Sequence, residues 1–134
     1  TSLGEGEFIS AIHVRSLPDD WTAVYQRVQR LIAPTLTAAV AVKASGGTIE
    51  DVRVSIGSVS PVALRLGMLE EALRGIPSTG VDDLLASRAG EIAEAIAPVS
   101  DLWGTAEYKK YIAQVVLRRL LHQAIALAGM GDER

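Results

Sequence analysis

The sequence predicts an α+β domain in which a small antiparallel sheet of three to four strands packs against about three helices. Three observations support this prediction. The length of 134 residues suits a single domain. Two runs of alternating apolar residues flank a Gly-Gly pair, and the second half of the chain carries apolar residues at helical spacing. Hydrophobic residues make up 49% of the chain and aromatic residues only 4%, so aliphatic side chains must form the core.

The first two predicted elements are a strand and a helix. Residues 7–15 alternate, with apolar residues on both faces, which predicts a strand. Asp19 or Asp20 is placed to cap a following helix of about three turns, and Pro34 ends that helix near Ile32. The helix would bury one stripe, formed by Trp21, Val24, Tyr25, Val28, Leu31 and Ile32.

An antiparallel hairpin is the most distinctive predicted element. Residues 36–44 and 49–59 form its strands, and the turn lies at residues 45–48, around Gly46-Gly47. Gly57, late in the second strand, suggests a bulge or a close backbone approach. The residues expected to face inward are Ala38, Val40, Val42 and Ala44 on the first strand and Val52, Val54 and Ile56 on the second.

Three helices are predicted for the rest of the chain. Pro61 can open one over residues 62–74, and Gly75 ends it. A second begins at Val81, is weakened by Gly90 and is closed by Pro98. Thr105 caps the longest helix, over residues 106–128. Its expected core positions are Tyr108, Tyr111, Ile112, Val115, Val116, Leu120, Leu121, Ala124, Ile125 and Ala128.

Composition excludes several classes of protein. With 13 Lys and Arg against 16 Asp and Glu, the net charge is −3, which argues against a general nucleic-acid binder. The absence of cysteine excludes a disulfide scaffold and thiolate chemistry. No apolar run reaches the roughly 18 residues of a membrane span, and the start of the chain lacks signal-peptide features. We expect a cytoplasmic protein and, since the sequence begins without Met, a fragment of a longer chain.

The polar residues do not assemble into a complete active site. His13 and His122 are far apart in the sequence, and neither has carboxylates at metal-ligand spacing. The adjacent pairs 70–71 and 82–83 are carboxylates that point about 100° apart on a helix, so neither forms a shared-proton dyad. The basic residues, among them Arg27, Arg30, Lys109, Lys110, Arg118 and Arg119, are most simply interpreted as solvated helix faces.

Two stretches, residues 46–75 and 98–124, resemble the C-terminal domain of the FAD-binding medium subunit of molybdenum hydroxylases. That family includes xanthine dehydrogenase and aerobic carbon monoxide dehydrogenase. Residues 25–42 are similar to the carbon monoxide dehydrogenase branch, and the opening EFISAIHV fits the strand that enters the domain. The motifs that carry the resemblance are Gly46-Gly47, Gly57, Pro61, Leu73 with Gly75, Ser100-Asp101, Thr105, Glu107-Tyr108 and Lys109-Lys110.

This resemblance implies where the chain would act. FAD would be held by a glycine-rich N-terminal domain that is absent from this chain. The partners implied are that domain, the iron–sulfur small subunit and the molybdopterin large subunit. In the family a Lys near the flavin matches Arg27, which keeps the charge but not the geometry. A flavin-covering Tyr, in a Gly-Asp-Tyr motif, matches Thr35, whose side chain cannot stack on a ring. Arg27 and Thr35 are therefore the candidate cofactor-binding residues.

Three hypotheses follow for function. The first is the C-terminal domain of an FAD subunit that passes electrons from molybdenum through iron–sulfur clusters to FAD, with the isolated chain neither holding FAD tightly nor turning over substrate. The second is a non-catalytic interaction module that has this fold and binds no flavin. It is suggested by Thr35, which stands where the resemblance leads us to expect the flavin-covering Tyr. The third is an unrelated α+β domain that binds a small molecule. None of them assigns a catalytic or metal-binding residue to this chain.

Overall fold

A computed structural model describes residues 3–29 and 32–131, and within them four strands are followed by four α-helices. A 3-10 turn at Ser78–Gly80 precedes the second helix. The strands are β1 (Thr22–Gln29), β2 (Pro34–Ser45), β3 (Thr48–Gly57) and β4 (Leu64–Arg65). The helices are α1 (Gly67–Leu73), α2 (Val81–Ser87), α3 (Ala89–Ile96) and α4 (Ala106–Gly131). The predicted α+β class is confirmed.

The strands form one antiparallel sheet in the order β1-β2-β3-β4. Val24 pairs with Val40, and Val40 pairs with Val54, so alternate residues of three strands share the buried face. Gly46 and Gly47 both have positive φ, 56° and 75°, which only glycine adopts without strain in so tight a turn. The predicted hairpin and its inward-facing residues are confirmed.

Helices cover one face of this sheet. α4 lies across β1 and β2, and α1 packs against β3. The other face carries small and charged side chains and is largely open. From α4 the residues that enter the core are Ala113, Val116, Leu117, Leu120, Leu121 and Ala124. Two expected core residues, Tyr108 and Tyr111, are instead exposed, because the buried stripe at the start of α4 runs through Lys109.

The helix predicted over residues 21–32 is wrong, because this part of the chain forms β1. Its apolar residues fit a helix, but Val24 and Val28 also fit a strand with period two, and β-branched residues favour strands. Every residue of β1 has a partner on β2, and this pairing decides the conformation. Leu31, which was assigned to the helix stripe, lies outside the described residues.

The strand predicted over residues 7–15 is also wrong for this structure. That segment lies in no strand, and no backbone hydrogen bond among the described residues joins it to the sheet. Its alternating pattern is typical of a strand, but alternation supplies no neighbouring strand edge. Phe8 and Ile12 consequently remain in water.

The predicted helix boundaries need three corrections. The helix expected from residue 62 begins at Gly67, because Leu64–Arg65 pairs with Ser55 and Ile56 as β4. It ends before Gly75, whose φ is +78°. The helix expected to run from Val81 toward Pro98 is divided into α2 and α3. The break follows Ser87, whose hydroxyl donates to the Leu84 carbonyl and competes with the helix backbone. The last helix extends to Gly131, past the predicted end at residue 128.

Within the described residues, no helix is both long enough and apolar enough to cross a membrane.

Candidate functional site

A cavity of about 630 Å³ lies between the β1–β2 end of the sheet and the start of α4. It is open to solvent on one side and mostly apolar. The residues that line it are Val28, Gln29, Thr35, Asp101, Leu102, Trp103, Gly104, Thr105 and Tyr108. One of the two predicted cofactor-binding residues, Thr35, is among them.

Thr35 forms the floor of the cavity rather than a free contact surface. Its side chain is only 3% exposed, and its Oγ1 donates to the carbonyl oxygen of Trp103 at 2.8 Å. A Cβ placed on Gly104 would lie 3.4 Å from Thr35 Cγ2 and 3.0 Å from Tyr108 Cδ1. The chain at Gly104 therefore passes so close to β2 and α4 that a larger residue would need its neighbours to move.

A tight turn at residues 101–104 forms the wall opposite the sheet. The N–H of Asp101 donates to the Gly104 carbonyl at 3.0 Å, and the N–H of Gly104 donates back at 3.3 Å. Asp101 Oδ1 accepts from the N–H of Trp103 at 2.9 Å. Because these bonds fix the backbone, the turn holds Leu102 almost fully in solvent.

Two side-chain oxygens join this wall to α4. Thr105 Oγ1 accepts from the N–H of Tyr108 at 3.1 Å, which confirms Thr105 as the predicted cap. Ser100 Oγ accepts from the N–H of Ala106 at 2.8 Å and satisfies another donor of the first helical turn. These two hydrogen bonds attach the wall to the first turn of α4.

A buried cation supports the same wall from beneath. Lys109 is 2% exposed, and its Nζ donates to Asp101 Oδ2 at 2.6 Å and to the Val99 carbonyl at 2.9 Å. The hydrogen bond from Lys109 lowers the pKa of Asp101 below 3.8 and outweighs burial, which acts to raise it. The interpretation of Lys109 as part of a solvated face is wrong. The sequence contains the partner, Asp101, eight residues earlier, but nothing in a helical pattern ties them together.

Arg27, the second predicted cofactor-binding residue, lies outside the cavity. It is on strand β1, on the exposed face that also presents Tyr25, and its Nη2 donates to the Ile32 carbonyl at 3.0 Å. It pairs in register with Thr37, two residues beyond Thr35. The structure therefore places Arg27 and Thr35 at one end of the same strand pair, but only Thr35 lines the cavity. Arg30 lies outside the described residues.

A second polar cluster joins α2 to α4 on the surface. Asp82 accepts two hydrogen bonds from Arg118, at 2.9 and 2.6 Å, and lies 2.7 Å from Nε2 of His122. The hydrogen bonds from Arg118 and then His122 lower the pKa of Asp82 from 3.8 to about 2. This cluster is exposed, and its hydrogen bonds tie α2 to α4. His13 is exposed and distant from it in the chain.

The described lining of the cavity is mostly apolar and contains few charged groups. This lining supplies one carboxylate, which is paired with Lys109, and the hydroxyls of Thr35, Thr105 and Tyr108. The Thr35 hydroxyl donates to the Trp103 carbonyl, and that of Thr105 caps α4. No group of three or more potential metal ligands occurs in the described part of the chain.

Comparison with known proteins identifies relatives that match most of this chain. The family model for the CO dehydrogenase flavoprotein C-terminal domain matches residues 24–124. The carbon monoxide dehydrogenase medium chain of Afipia carboxidovorans is 34% identical over 131 residues, which are 96% of this chain and 44% of that protein. The glyceraldehyde dehydrogenase medium chain of Sulfolobus acidocaldarius is 30% identical over 118 residues, 87% of this chain and 41% of that protein.

Solved structures give the same result. The chain is similar to carbon monoxide dehydrogenase from Hydrogenophaga pseudoflava, with a TM-score of 0.75 and 30% identity, over 84% of this chain and 39% of that one. Quinoline 2-oxidoreductase from Pseudomonas putida 86 shares the fold, with a TM-score of 0.72 at 20% identity, over 83% of this chain and 39% of that one. The chain spans less than half the length of the curated relatives that it matches.

Proposed function

Because the chain belongs to the family of CO dehydrogenase flavoprotein C-terminal domains, we propose that it acts within the FAD subunit of a molybdenum-containing hydroxylase or dehydrogenase. There it helps to cover the flavin and to dock the iron–sulfur subunit while electrons pass from molybdenum through iron–sulfur clusters to FAD. The observation that carries this proposal is the family match over residues 24–124. This match contradicts the third hypothesis, an unrelated α+β domain that binds a small molecule. A cytoplasmic location stays a prediction.

The described residues fit a covering role and do not fit a complete FAD site. The pyrophosphate of FAD needs backbone N–H groups or cations, whereas the charged group described at the cavity is Asp101. The exposed Leu102 and Tyr108 instead offer apolar contact area beside a rigid wall. We therefore assign the holding of FAD to the part of the subunit that corresponds to the rest of the relatives' length.

Arg27 is the residue of this chain that we assign to the flavin side. Its guanidinium is on the exposed face of β1, and the carbonyl of Ile32 uses only one of its donors. A fixed positive charge near the flavin favours the reduced, negatively charged ring, so it raises the reduction potential. Thr35 has a different part in the proposal. Its hydroxyl holds Trp103, and so it supports the cavity wall without touching the cofactor.

The second candidate function is an interaction module that binds no flavin. The observation that favours it is Thr35, buried and hydrogen-bonded where the carbon monoxide dehydrogenase branch is expected to present a Tyr. The two functions differ in whether the complete subunit contains FAD when it is purified with its partner subunits.

The test is to purify the complete subunit together with its proposed iron–sulfur and molybdopterin partner subunits, and to measure bound FAD per subunit. The proposal expects one FAD per complete subunit, a stable three-subunit complex and only trace FAD on the 134-residue chain alone. An FAD-free subunit that still joins a complex would favour the interaction module. Stoichiometric FAD on the 134-residue chain would contradict our assignment of FAD binding to the rest of the subunit.

Arg27 is tested by the flavin potential in that complex. Arg27→Gln should make the potential more negative, and Arg27→Lys should restore most of the difference, because the charge is what matters. Arg53→Gln is the matched control, since Arg53 is an exposed arginine of the same sheet that lies 4.5 Å over the Trp21 ring. Equal shifts of the flavin potential from Arg27→Gln and Arg53→Gln would contradict the assignment of Arg27 to the flavin side.

A further inference from the structure

The open face of the sheet carries a trough of small side chains along the inner strand β2. Thr37, Ala39 and Ala41 lie on this face, because the residues between them are buried on the other one. A cavity of about 250 Å³ lies over Ala39 and Ala41, and Leu17 lines it as well. In an antiparallel sheet a face that meets water carries polar side chains, and alanine is disfavoured in strands. The small residues of β2 therefore favour the close approach of another surface.

Larger side chains flank this trough on both sides. Tyr25 and Arg27 lie on the open face of β1, and Arg53 and Arg65 lie on the same face of β3 and β4. All four side chains are exposed. Residues on β1 and β3 are two strand spacings apart, which is about 10 Å and close to the diameter of an α-helix. The trough therefore has the width that a helix needs.

The unpaired charge on this face is positive. Glu70 pairs with Arg65, but no carboxylate of the described residues forms an ion pair with Arg27 or Arg53. Arg53 instead lies 4.5 Å over the Trp21 ring. On the helices, by contrast, three carboxylates have no ion pair within the described part of the chain, namely Glu71, Asp83 and Glu94. The open face therefore favours an acidic partner, although the net charge of the chain is −3.

A helix suits this face better than an extended segment does. The backbone groups of β2 pair with β1 and β3, so the face presents only side chains. An extended segment on it would leave its own N–H and C=O groups without partners, whereas a helix satisfies them internally. An amphipathic acidic helix would place its apolar stripe on Ala39 and Ala41 and its carboxylates beside the exposed arginines.

The position of the trough indicates a separate chain as the source of that helix. Arg27, which we assign to the flavin side, lies at one end of the trough. Another part of the same subunit would be held here by its covalent linkage, whereas a separate subunit has to be recognised, and complementary charge serves recognition. In the proposed function the iron–sulfur subunit delivers electrons to the flavin, so it is the separate chain that must approach this end.

We propose that the open face of the sheet docks an acidic amphipathic helix of the iron–sulfur subunit. This inference rests on the proposed function for the identity of its partner. Arg53 pairs with a carboxylate of the helix, Ala39 and Ala41 receive its apolar stripe, and Tyr25 covers its other side.

The dissociation constant of the complete subunit and the iron–sulfur subunit, measured by calorimetric titration at low and high salt, tests this inference. Arg53→Gln should weaken binding about fivefold at low salt and reduce the salt dependence, because salt screens a charge pair at the edge of an interface. Arg119→Gln is the control, since Arg119 is an exposed arginine of α4, on the helix-covered side of the sheet. It should leave both quantities unchanged.

A second pair of variants tests the trough itself. Ala39→Phe should weaken binding at least about tenfold, because the ring fills the space that the helix needs. Urea unfolding of the 134-residue chain should show no loss of stability, since residue 39 is exposed and Phe is favoured in strands. Ala95→Phe makes the same change at an exposed position of α3 and should leave binding unchanged.

Four results would overturn the inference. A complete subunit that holds FAD and binds the iron–sulfur subunit equally well with Arg53→Gln and with Ala39→Phe overturns this inference alone. A wild-type complete subunit that neither holds FAD nor binds the iron–sulfur subunit overturns the proposed function and, with it, the partner named here. Loss of FAD from both variants at unchanged affinity assigns the face to the flavin-binding part of the subunit. Self-association of the wild type that Arg53→Gln abolishes assigns it to a second copy.

Discussion

Lys109 is the residue whose surroundings depart furthest from its chemical type. An ammonium group is rarely buried without partners, and here Asp101 and the Val99 carbonyl supply them. The pair fixes the loop before α4, so Lys109 acts on the cavity through the position of the wall. Thr35 does the same from the sheet side through the Trp103 carbonyl. Both residues shape the cavity without presenting a reactive group to it.

Replacing Lys109 with Met should lower the free energy of unfolding by about 2 kcal/mol, because the two hydrogen bonds that the buried ammonium donates, to Asp101 and to the Val99 carbonyl, are lost. It should also raise the pKa of Asp101 toward its ordinary value, since the Lys109 hydrogen bond is the main cause of its lowering. Urea unfolding and an NMR titration of Asp101 measure the two effects. Lys110→Met is the control: Lys110 lies 3.8 Å from Glu107 on the surface, and its loss should change stability by less than about 0.5 kcal/mol. Equal effects of both variants would contradict the role of Lys109.

At the scale of elements, side chains supply hydrogen bonds to β3 beyond the end of the short strand β4. Beyond β4, the N–H of Val54 on β3 donates to Glu70 Oε1 at 2.8 Å, so a carboxylate from α1 takes the place of a strand carbonyl. Arg65 holds the same carboxylate through two nitrogens. Burial opposes the charge on Glu70, but the hydrogen bonds from Arg65 and Val54 outweigh it and lower its pKa.

Glu70→Ala should lower the free energy of unfolding by about 2 kcal/mol, because the Val54 N–H is left without an acceptor. Glu71→Ala makes the same chemical change one residue later, on the exposed side of α1, and should have little effect. Chemical denaturation of the two variants gives the comparison. A loss as large for Glu71→Ala would mean that helix propensity or net charge, rather than the strand edge, sets the effect.

The link between α2 and α4 predicts a dependence of stability on pH. Asp82 has its pKa lowered from 3.8 to about 2 by Arg118 and His122. A carboxylate whose pKa is lower in the folded state contributes its full stability above 3.8, and this contribution is lost as the pH falls toward 2. Asp82→Asn should therefore be less stable than the wild type at neutral pH, and the difference should shrink in acid. Asp83→Asn, in the same first turn of α2, is the control for the helix dipole. Thermal unfolding across the acid range measures both, and parallel curves for the two variants would contradict the prediction.

At the scale of the whole molecule, the predictions from sequence succeed where the signal is local. The hairpin around Gly46-Gly47 could be predicted because the turn and the alternation lie in adjacent residues. Segment 22–29 could not, because its pattern fits two periods and its partner, β2, decides between them. The cavity could not be predicted either. Thr35 and Trp103 are 68 residues apart, and no local pattern records their contact.

A chain that begins at Ser16 should fold as stably as the full 134 residues, within about 0.5 kcal/mol. The described part of the segment before Ser16 contributes no residue to the core, so its removal costs the isolated chain nothing. Urea unfolding of the two chains at equal concentration makes the comparison. A substantially lower midpoint for the shortened chain would show that the segment packs on its own sheet in solution.

The order of the strands has a consequence for how the chain folds during synthesis. Each strand pairs with its neighbour in the chain, so every loop that the sheet must close is short, and short loops close at little entropic cost. The whole sheet is available once residue 65 has left the ribosome, but α4 is made after all the other elements described here. Until it arrives, the apolar face of β1 and β2 has no cover. That interval is when the nascent chain is most exposed to aggregation, and when a chaperone that binds apolar surface would matter most.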